Sequence, residues 1–480
     1  MIEFRHGAVR PVIRLACLAA LLLCGPCLAS PVVLNRNGAY VAVESYAPNI
    51  VRITIATDYS TAATRPGYGF IASEDPHGLE HTADAGGDDF RSSALQLHID
   101  APPAPSAPSV GERYFAPSLP PVALEVRNAR GETILAMTGW QMAPHTVNGE
   151  RTYQVGASFT APDDEHFYGL GQNQDGVLDL RGRTIDCKHW YDDPHGETVC
   201  VPFMVSSRGY GVVWDNPSDT HIYPGVNGRT LWQSEVGERV SFFVIVSDSS
   251  DALYTGYAKL TGRTPIPPKA AFGLIQSKAR YASQQEVLDV AHTYRNKGYP
   301  LDIMVLDWFY WTRMGQLDID PAQFPDPDAM NRDLHALGMR SLISVWPRFE
   351  RDSRYFNELD AKGYFLKDKD GKTQDGLPFR ADRAGALIDA TNPLAVDWFF
   401  SHVRDNILSH GFDYLWLDET EPDLVPDGFF FKIGSGDRYH NVFPLLYVDG
   451  MSQRFRRYRP NKRVLILARA ALRGRNVFLE

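Results

Sequence analysis

The feature that most constrains this chain is the rhythm of its apolar runs beyond residue 268, where short strand-like runs alternate with longer helical ones. Residues 272–276 are strand-like. Residues 283–297 then take helical spacing, with Val287, Val290, Ala291 and Tyr294 on one face. Ser283 followed three residues later by Glu286 is a capping-box pattern. Further strands are predicted at 303–306, 342–345, 414–417 and 464–467, with helices at 328–337 and 393–408, stopped by Gly338 and Gly411. Strands alternating with helices call for a parallel sheet, and repeats of this kind build a (β/α)8 TIM barrel. A closed barrel needs eight strands and about five are legible, so the barrel is expected to be incomplete within this sequence.

The preceding part reads as β structure. Val41-Ala42-Val43 and Val51-Arg52-Ile53-Thr54-Ile55 are short strand-like runs, and 201–206, 210–214 and 240–246 follow, separated by clusters of Gly, Pro, Asn and Asp. Many short strands with turn punctuation predict a β-sandwich. Residues 101–121, rich in Pro and Ser, predict an exposed loop. The character changes at Arg263-Thr264-Pro265-Ile266-Pro267-Pro268, where paired prolines favour an extended linker. The predicted plan is therefore a sandwich over 30–264 and the front of a barrel over 265–480.

Residues 1–29 have the pattern of an export signal. Arg5, Arg10 and Arg14 precede a short apolar run at 15–23, and Cys27-Leu28-Ala29 is a plausible cleavage triplet. The run is short for a membrane span, so export to the periplasm or medium is expected, without membrane contact after cleavage. An uncleaved anchor or a misplaced start is the alternative. Cys17, Cys24 and Cys27 fall in this segment and leave Cys187 and Cys200, either a disulfide or two isolated buried thiols. The sequence holds no CxxC pair and no HExxH motif, so no metal site or cofactor is expected. A formal net charge of -10 argues against a nucleic-acid partner, which needs clustered Lys and Arg. A neutral, sugar-like substrate fits better.

Barrel enzymes place their active residues where strands run out at the carboxyl end. That rule selects Asp307, Trp346, Asp418 and Arg469, which follow successive predicted strands. Two carboxylates, an indole and a guanidinium suit a sugar pocket, the ring offering an apolar face and the charged groups binding hydroxyls. An N-cap, a loop ion pair or a core aromatic is the alternative for any one of them.

The segment Trp416-Leu417-Asp418-Glu419-Thr420-Glu421-Pro422-Asp423 resembles the nucleophile block of glycoside hydrolase family 31. Met304 through Trp311, followed by Phe324-Pro325-Asp326-Pro327, is similar to the family's second-strand signature, and Ser344-Val345-Trp346-Pro347 to its third. Tyr168-Gly169-Leu170-Gly171-Gln172, Val201-Pro202-Phe203 and residues 206–214 resemble its N-terminal β domain; Gly434-Ser435-Gly436, 441–446 and 463–471 resemble the approach to its fifth strand. The resemblance implies a retaining, exo-acting α-glycosidase that hydrolyses an α-xyloside or α-glucoside by double displacement, with no cofactor. It implies Asp418 as nucleophile, Asp307 and Arg469 as hydroxyl ligands, and Trp346 as pocket wall. Trp308, Trp311 and Trp416 are further substrate-binding candidates. Glu421 would bond locally or orient its loop. Asp186, His189 and Trp190 in the loop over 175–193 read equally well as a solvated loop, and His440 as structural.

Beyond Ala471 the resemblance fades, and residues 472–480 contain no aspartate. The family's general acid/base is therefore expected to be absent from this chain. General acid catalysis contributes about 10²–10⁴-fold, so the polypeptide as written is expected to be weakly active and poorly folded, a dead product or a carbohydrate-binding remnant.

Overall fold

The computed structural model describes residues 31–102, 119–172, 176–187, 199–380, 383–421, 428–468 and 478–479. The export-signal reading (1–29), most of the Pro- and Ser-rich loop, and His189, Trp190, Pro422, Asp423 and Arg469 lie outside these residues.

The N-terminal part is two antiparallel sheets packed face to face. Among the described residues one sheet has seven strands, in the order Val32–Arg36, Ala39–Ala47, Ile50–Ala56, Val240–Val246, Tyr210–Trp214, Phe203–Ser206, Phe167–Gly169. The other has nine, running from Ile185–Asp186 through Thr220–Val226, Arg229–Gly237, Glu150–Thr160 and Thr133–Val147 to Glu80–Ala83. Strands Ile50–Ala56 and Val240–Val246 are buried along their whole length. One face meets the second sheet around Trp214, Trp232, Phe159 and Phe242, and the other is covered by helix Ser250–Thr261 through Phe203, Phe243, Leu253 and Leu260. That double burial is why both strands are mostly apolar, broken only by the buried Arg52, Thr54 and Ser241.

Strands Thr133–Val147 and Glu150–Thr160 form a long hairpin that the sequence reading passed over. Its turn is Asn148-Gly149, both residues with positive φ (51° and 84°), the geometry that two-residue hairpin turns demand. The tip touches the C-terminal part: Asn148 donates to Asp437 at 2.5 Å, and Arg438 donates to Glu150 at 2.8 Å. Pro268 is extended (φ -62°, ψ 150°), as expected at the switch between the two patterns.

The C-terminal part is a parallel sheet with helices on one face. Its strands are β1 (Ile275–Gln276), β2 (Ile303–Leu306), β3 (Arg340–Val345), β4 (Tyr414–Leu417), β5 (Ile466–Ala468) and β6 (Phe478–Leu479), neighbours in that order. The helices include α1 (Gln284–Asn296), α2 (Pro327–Ala336), α3 (Pro393–Asn406) and α4 (Val442–Tyr458). Ser283 caps α1 by accepting from the Glu286 N–H, while the Glu286 carboxylate accepts from the Ala282 N–H.

Three details differ from the sequence reading. The first strand is only Ile275–Gln276, because Lys269–Phe272 coils into a 3-10 turn and Phe272 and Leu274 face outward (76% and 46% exposed). Among the described residues the sheet has six strands rather than about five; β6 is two residues long and leaves no readable period. A small antiparallel sheet of Arg348–Phe349, Arg383–Leu387 and Leu377–Arg380 separates β3 from α3.

Candidate active site

Side chains alternate across each strand, and the alternation decides which strand-end residues converge. Ile303, Val305, Leu342, Tyr414 and Leu465 form one cluster, with Trp416 and Leu467 packed against it. The intervening Met304, Leu306, Ile343, Val345, Leu415, Leu417, Ile466 and Ala468 pack with Phe399, Val403, Tyr447 and Phe455 of the helices. Extended by period two, the face opposite the helices carries Asp307 after β2, Ser344 on β3 with Trp346 just past its end, and Trp416 on β4 with Asp418 just past its end. Register supports this. Val345 pairs with Leu417, and the Asp418 N–H continues the ladder to the Val345 carbonyl at 3.2 Å. Trp346 and Asp418 thus leave adjacent strands at one level.

An aromatic group stands at the ends of β2 and β3. Trp308 stacks on Trp346 with ring centroids 5.4 Å apart and planes 11° apart, and Trp311 meets Trp346 edge-on at 6.0 Å. Phe309, at φ 57°, leans against Trp308 at 4.3 Å. The Trp346 indole N–H donates to Ser344 Oγ at 3.1 Å, and the Tyr310 hydroxyl donates to the Ser344 carbonyl at 2.8 Å. The buried indole N–H groups of Trp311 and Trp416 have no hydrogen-bond partner among the described residues. Buried donors in that state are uncommon in proteins.

Asp307 and Asp418 are each oriented by the next peptide. The Trp308 N–H donates to Asp307 Oδ1 at 2.7 Å, and the Glu419 N–H to Asp418 Oδ1 at 3.0 Å. Asp418 through Glu421 are all buried. Tyr447 faces this turn from α4. Burial first, then the charges of Glu419 and Asp418, hold its phenol well above the ordinary tyrosine range.

Other sequence candidates take structural places. Asp186 Oδ1 accepts from His221 Nδ1 at 2.6 Å on the sandwich. His440 is buried two residues before α4. The neighbouring Asn441 side chain donates to the Cys187 carbonyl at 2.8 Å and ties α4 to the sandwich. Cys187 and Cys200 are joined in a disulfide, their Cα atoms 5.0 Å apart, which decides between the two readings of that pair. Among the described residues no group of three or more His, Cys, Asp or Glu is arranged to hold a metal, and no helix is long and apolar enough to cross a membrane. Sequence reasoning passed over Arg348, Glu419 and Tyr447. A buried arginine two residues after a strand-end tryptophan was the available signal.

Comparison with known proteins agrees with this architecture. Residues 264–478 match the glycosyl hydrolases family 31 TIM-barrel domain, and residues 40–222 match the glycosyl hydrolase 31 N-terminal galactose mutarotase-like domain. The first match runs beyond Ala471, the point at which the sequence resemblance fades, to the described strand at 478–479. An α-xylosidase of Saccharolobus solfataricus is 35% identical over 342 residues, 67% of this chain and 44% of that protein. An uncharacterized family 31 glucosidase of Pseudescherichia vulneris is 35% identical over 306 residues, 62% of this chain and 56% of that protein. The chain therefore spans about half the length of the curated relatives it matches. Among solved structures, the α-xylosidase from Xanthomonas citri superposes with TM-score 0.80 at 21% identity, over 94% of this chain and 65% of that one. A soil-metagenome α-xylosidase complexed with xylose gives 0.79 at 22%, over 93% and 65%. On these grounds, a mutarotase-like sheet domain followed by a TIM-barrel domain, the chain belongs to glycosyl hydrolase family 31.

Proposed function

We propose that this chain carries the nucleophile-bearing part of a retaining, exo-acting α-glycosidase that removes a terminal α-linked xylose or glucose by double displacement. The observation that carries the reading is the convergence of Asp418, Asp307 and the Trp308–Trp346 stack at the carboxyl ends of adjacent parallel strands. In this mechanism the Asp418 carboxylate attacks the anomeric carbon and forms a glycosyl ester, which water then hydrolyses. The Glu419 N–H on Oδ1 fixes the rotation of the attacking carboxylate, which keeps it close to an in-line approach. Asp307 holds ring hydroxyls, Trp346 and Trp308 supply the apolar wall, and the indole N–H groups of Trp311 and Trp416 donate to the sugar. Arg469 follows β5 in sequence, and its role as a hydroxyl clamp rests on the family resemblance. No described residue is assigned to the acid/base step.

We take xylose as the preferred sugar; relatives named as α-xylosidases support it, and others named as glucosidases keep glucose as the alternative. The two sugars differ by one hydroxymethyl group, which a pocket discriminates by roughly 1–3 kcal/mol per carbon. Export belongs to the same reading, supported by the basic and apolar pattern of 1–29 and by the Cys187–Cys200 bond, since disulfides persist in oxidising compartments.

Initial rates on aryl α-xyloside, α-glucoside and α-galactoside test the proposal. Release from the xyloside, slower release from the glucoside and none from the galactoside are expected. Sugar binding by calorimetry without turnover of any of the three would favour a carbohydrate-binding protein instead.

A further inference from the structure

The turn that presents Asp418 is left-handed at a residue that does not favour it. Glu419 has φ 54°, a region that glycine enters freely and residues with a Cβ avoid. The Glu419 N–H donates to Asp418 Oδ1, so the residue held in this conformation is also the one whose amide orients the carboxylate. Such backbone persists only where the surroundings determine it. Here the glutamate side chain is seized by a buried cation: Arg348 Nε donates to Glu419 Oε2 at 2.7 Å. Arg348 is 1% exposed and is itself fixed at the far side of its guanidinium, where Nη1 donates to the Leu377 carbonyl at 2.7 Å.

The neighbouring strand makes room for this arginine. A Cβ added at Gly385 would lie 3.0 Å from Arg348 Cγ and 2.7 Å from the Phe349 carbonyl oxygen, so the arginine stem runs where any other residue would intrude. Buried ion pairs are poor sources of stability, because desolvation offsets the attraction, and a well-packed apolar pair often does as well. A pair at this position acts through conformation instead, if it acts on function at all. We propose that the Arg348–Glu419 pair is a positioning device that holds the left-handed turn and thereby sets the rotation of the Asp418 carboxylate. The inference rests on the reading of Asp418 as the nucleophile. It also makes the segment after β3 serve twice, Trp346 as wall and Arg348 as brace.

The test compares Arg348→Met, Arg348→Lys, Glu419→Ala and Glu419→Gly in the full chain, with Asp418→Ala alongside. Arg348→Met and Glu419→Ala should lower kcat by about 10- to 100-fold, the scale of a misplaced reacting group, with little change in KM. Arg348→Lys keeps the charge but loses the fork that reaches both partners, so it should recover only part of the loss. Glu419→Gly should lose less than Glu419→Ala, because glycine takes the left-handed turn without the brace. Equal losses at Glu419→Gly and Glu419→Ala, or an Arg348→Met chain with kcat near that of the native chain, would overturn the proposal while leaving the nucleophile assignment intact. Turnover that survives Asp418→Ala would instead sink that assignment. A crystal structure of the Arg348→Met chain gives a readout independent of activity: Glu419 should leave the left-handed region, and a residue still near φ 54° would refute the brace.

Discussion

Replacing Arg52 with methionine should lower the unfolding temperature of the sandwich by on the order of 10 °C. Arg52 is fully buried in strand Ile50–Ala56. Its guanidinium donates to Glu44 Oε2 at 2.6 Å, the Thr64 carbonyl at 2.9 Å, Ser241 Oγ at 3.1 Å and Asp215 Oδ2 at 3.2 Å. The Glu44 and Asp215 side chains are 2% and 1% exposed. Methionine keeps much of the volume but strips the cation from buried Glu44 and leaves buried Asp215 with Arg239 at 3.4 Å, and losing one partner of a buried pair costs about 3–5 kcal/mol. A domain of this size loses roughly 2–4 °C per kcal/mol, which gives the expected drop. Burial already pushes Glu44 up to about 7 against the pull of Arg52. Without that cation Glu44 takes a proton on folding, and proton uptake favours the folded state as pH falls. The variant's deficit should therefore be smaller near pH 5 than near pH 8 when both chains are followed by scanning fluorimetry. A deficit below about 1 kcal/mol would refute the claim that this pair holds two charges in the core, because exposed pairs contribute that little. A deficit equal at both pH values would refute the protonation argument.

Two further outcomes follow from the same physics. Breaking the disulfide by Cys200→Ser should cost about 3 kcal/mol, since the bond closes a loop with a sequence separation of 13, and reductant should lower the melting temperature of the native chain but not of the variant. At His221 partial burial opposes the charge, but the Asp186 hydrogen bond and the charges of Asp219, Asp186 and Glu235 raise its pKa above the ordinary value. That stabilisation is complete below the unfolded histidine value, about 6.5, and is lost as pH rises through the higher folded value. The melting-temperature gap between the native chain and His221→Gln should accordingly narrow from about pH 6 to about pH 8. A constant gap would contradict it.

Much of this was legible in the sequence where a period existed. Ile303–Leu306 and Tyr414–Leu417 are bounded as read, and period two places Asp307, Trp346 and Asp418 on one face, because each strand must turn its alternate residues toward the helices. The fully buried strands Ile50–Ala56 and Val240–Val246 were legible for the opposite reason, as short β-branched and aromatic runs with apolar residues on both faces. Local apolarity misled at Phe272 and Leu274, whose exposure is a tertiary outcome that no window of sequence contains. The small sheet holding Arg348 escaped because Arg383-Ala384-Gly385-Ala386-Leu387 has weak strand propensity and forms only against its neighbours. The left-handed φ of Glu419 was equally invisible, since it is enforced by an arginine 71 residues away.

The central claim is that the carboxylate of Asp418 attacks a bound sugar. Double displacement requires a covalent glycosyl ester, which a fluorinated α-glycosyl substrate traps when its hydrolysis is slow. Peptide mapping by mass spectrometry after such treatment should place the glycosyl mass on the peptide containing Asp418. A label on any other carboxylate, or a chain that turns over aryl α-xyloside without ever forming an ester, would contradict the account.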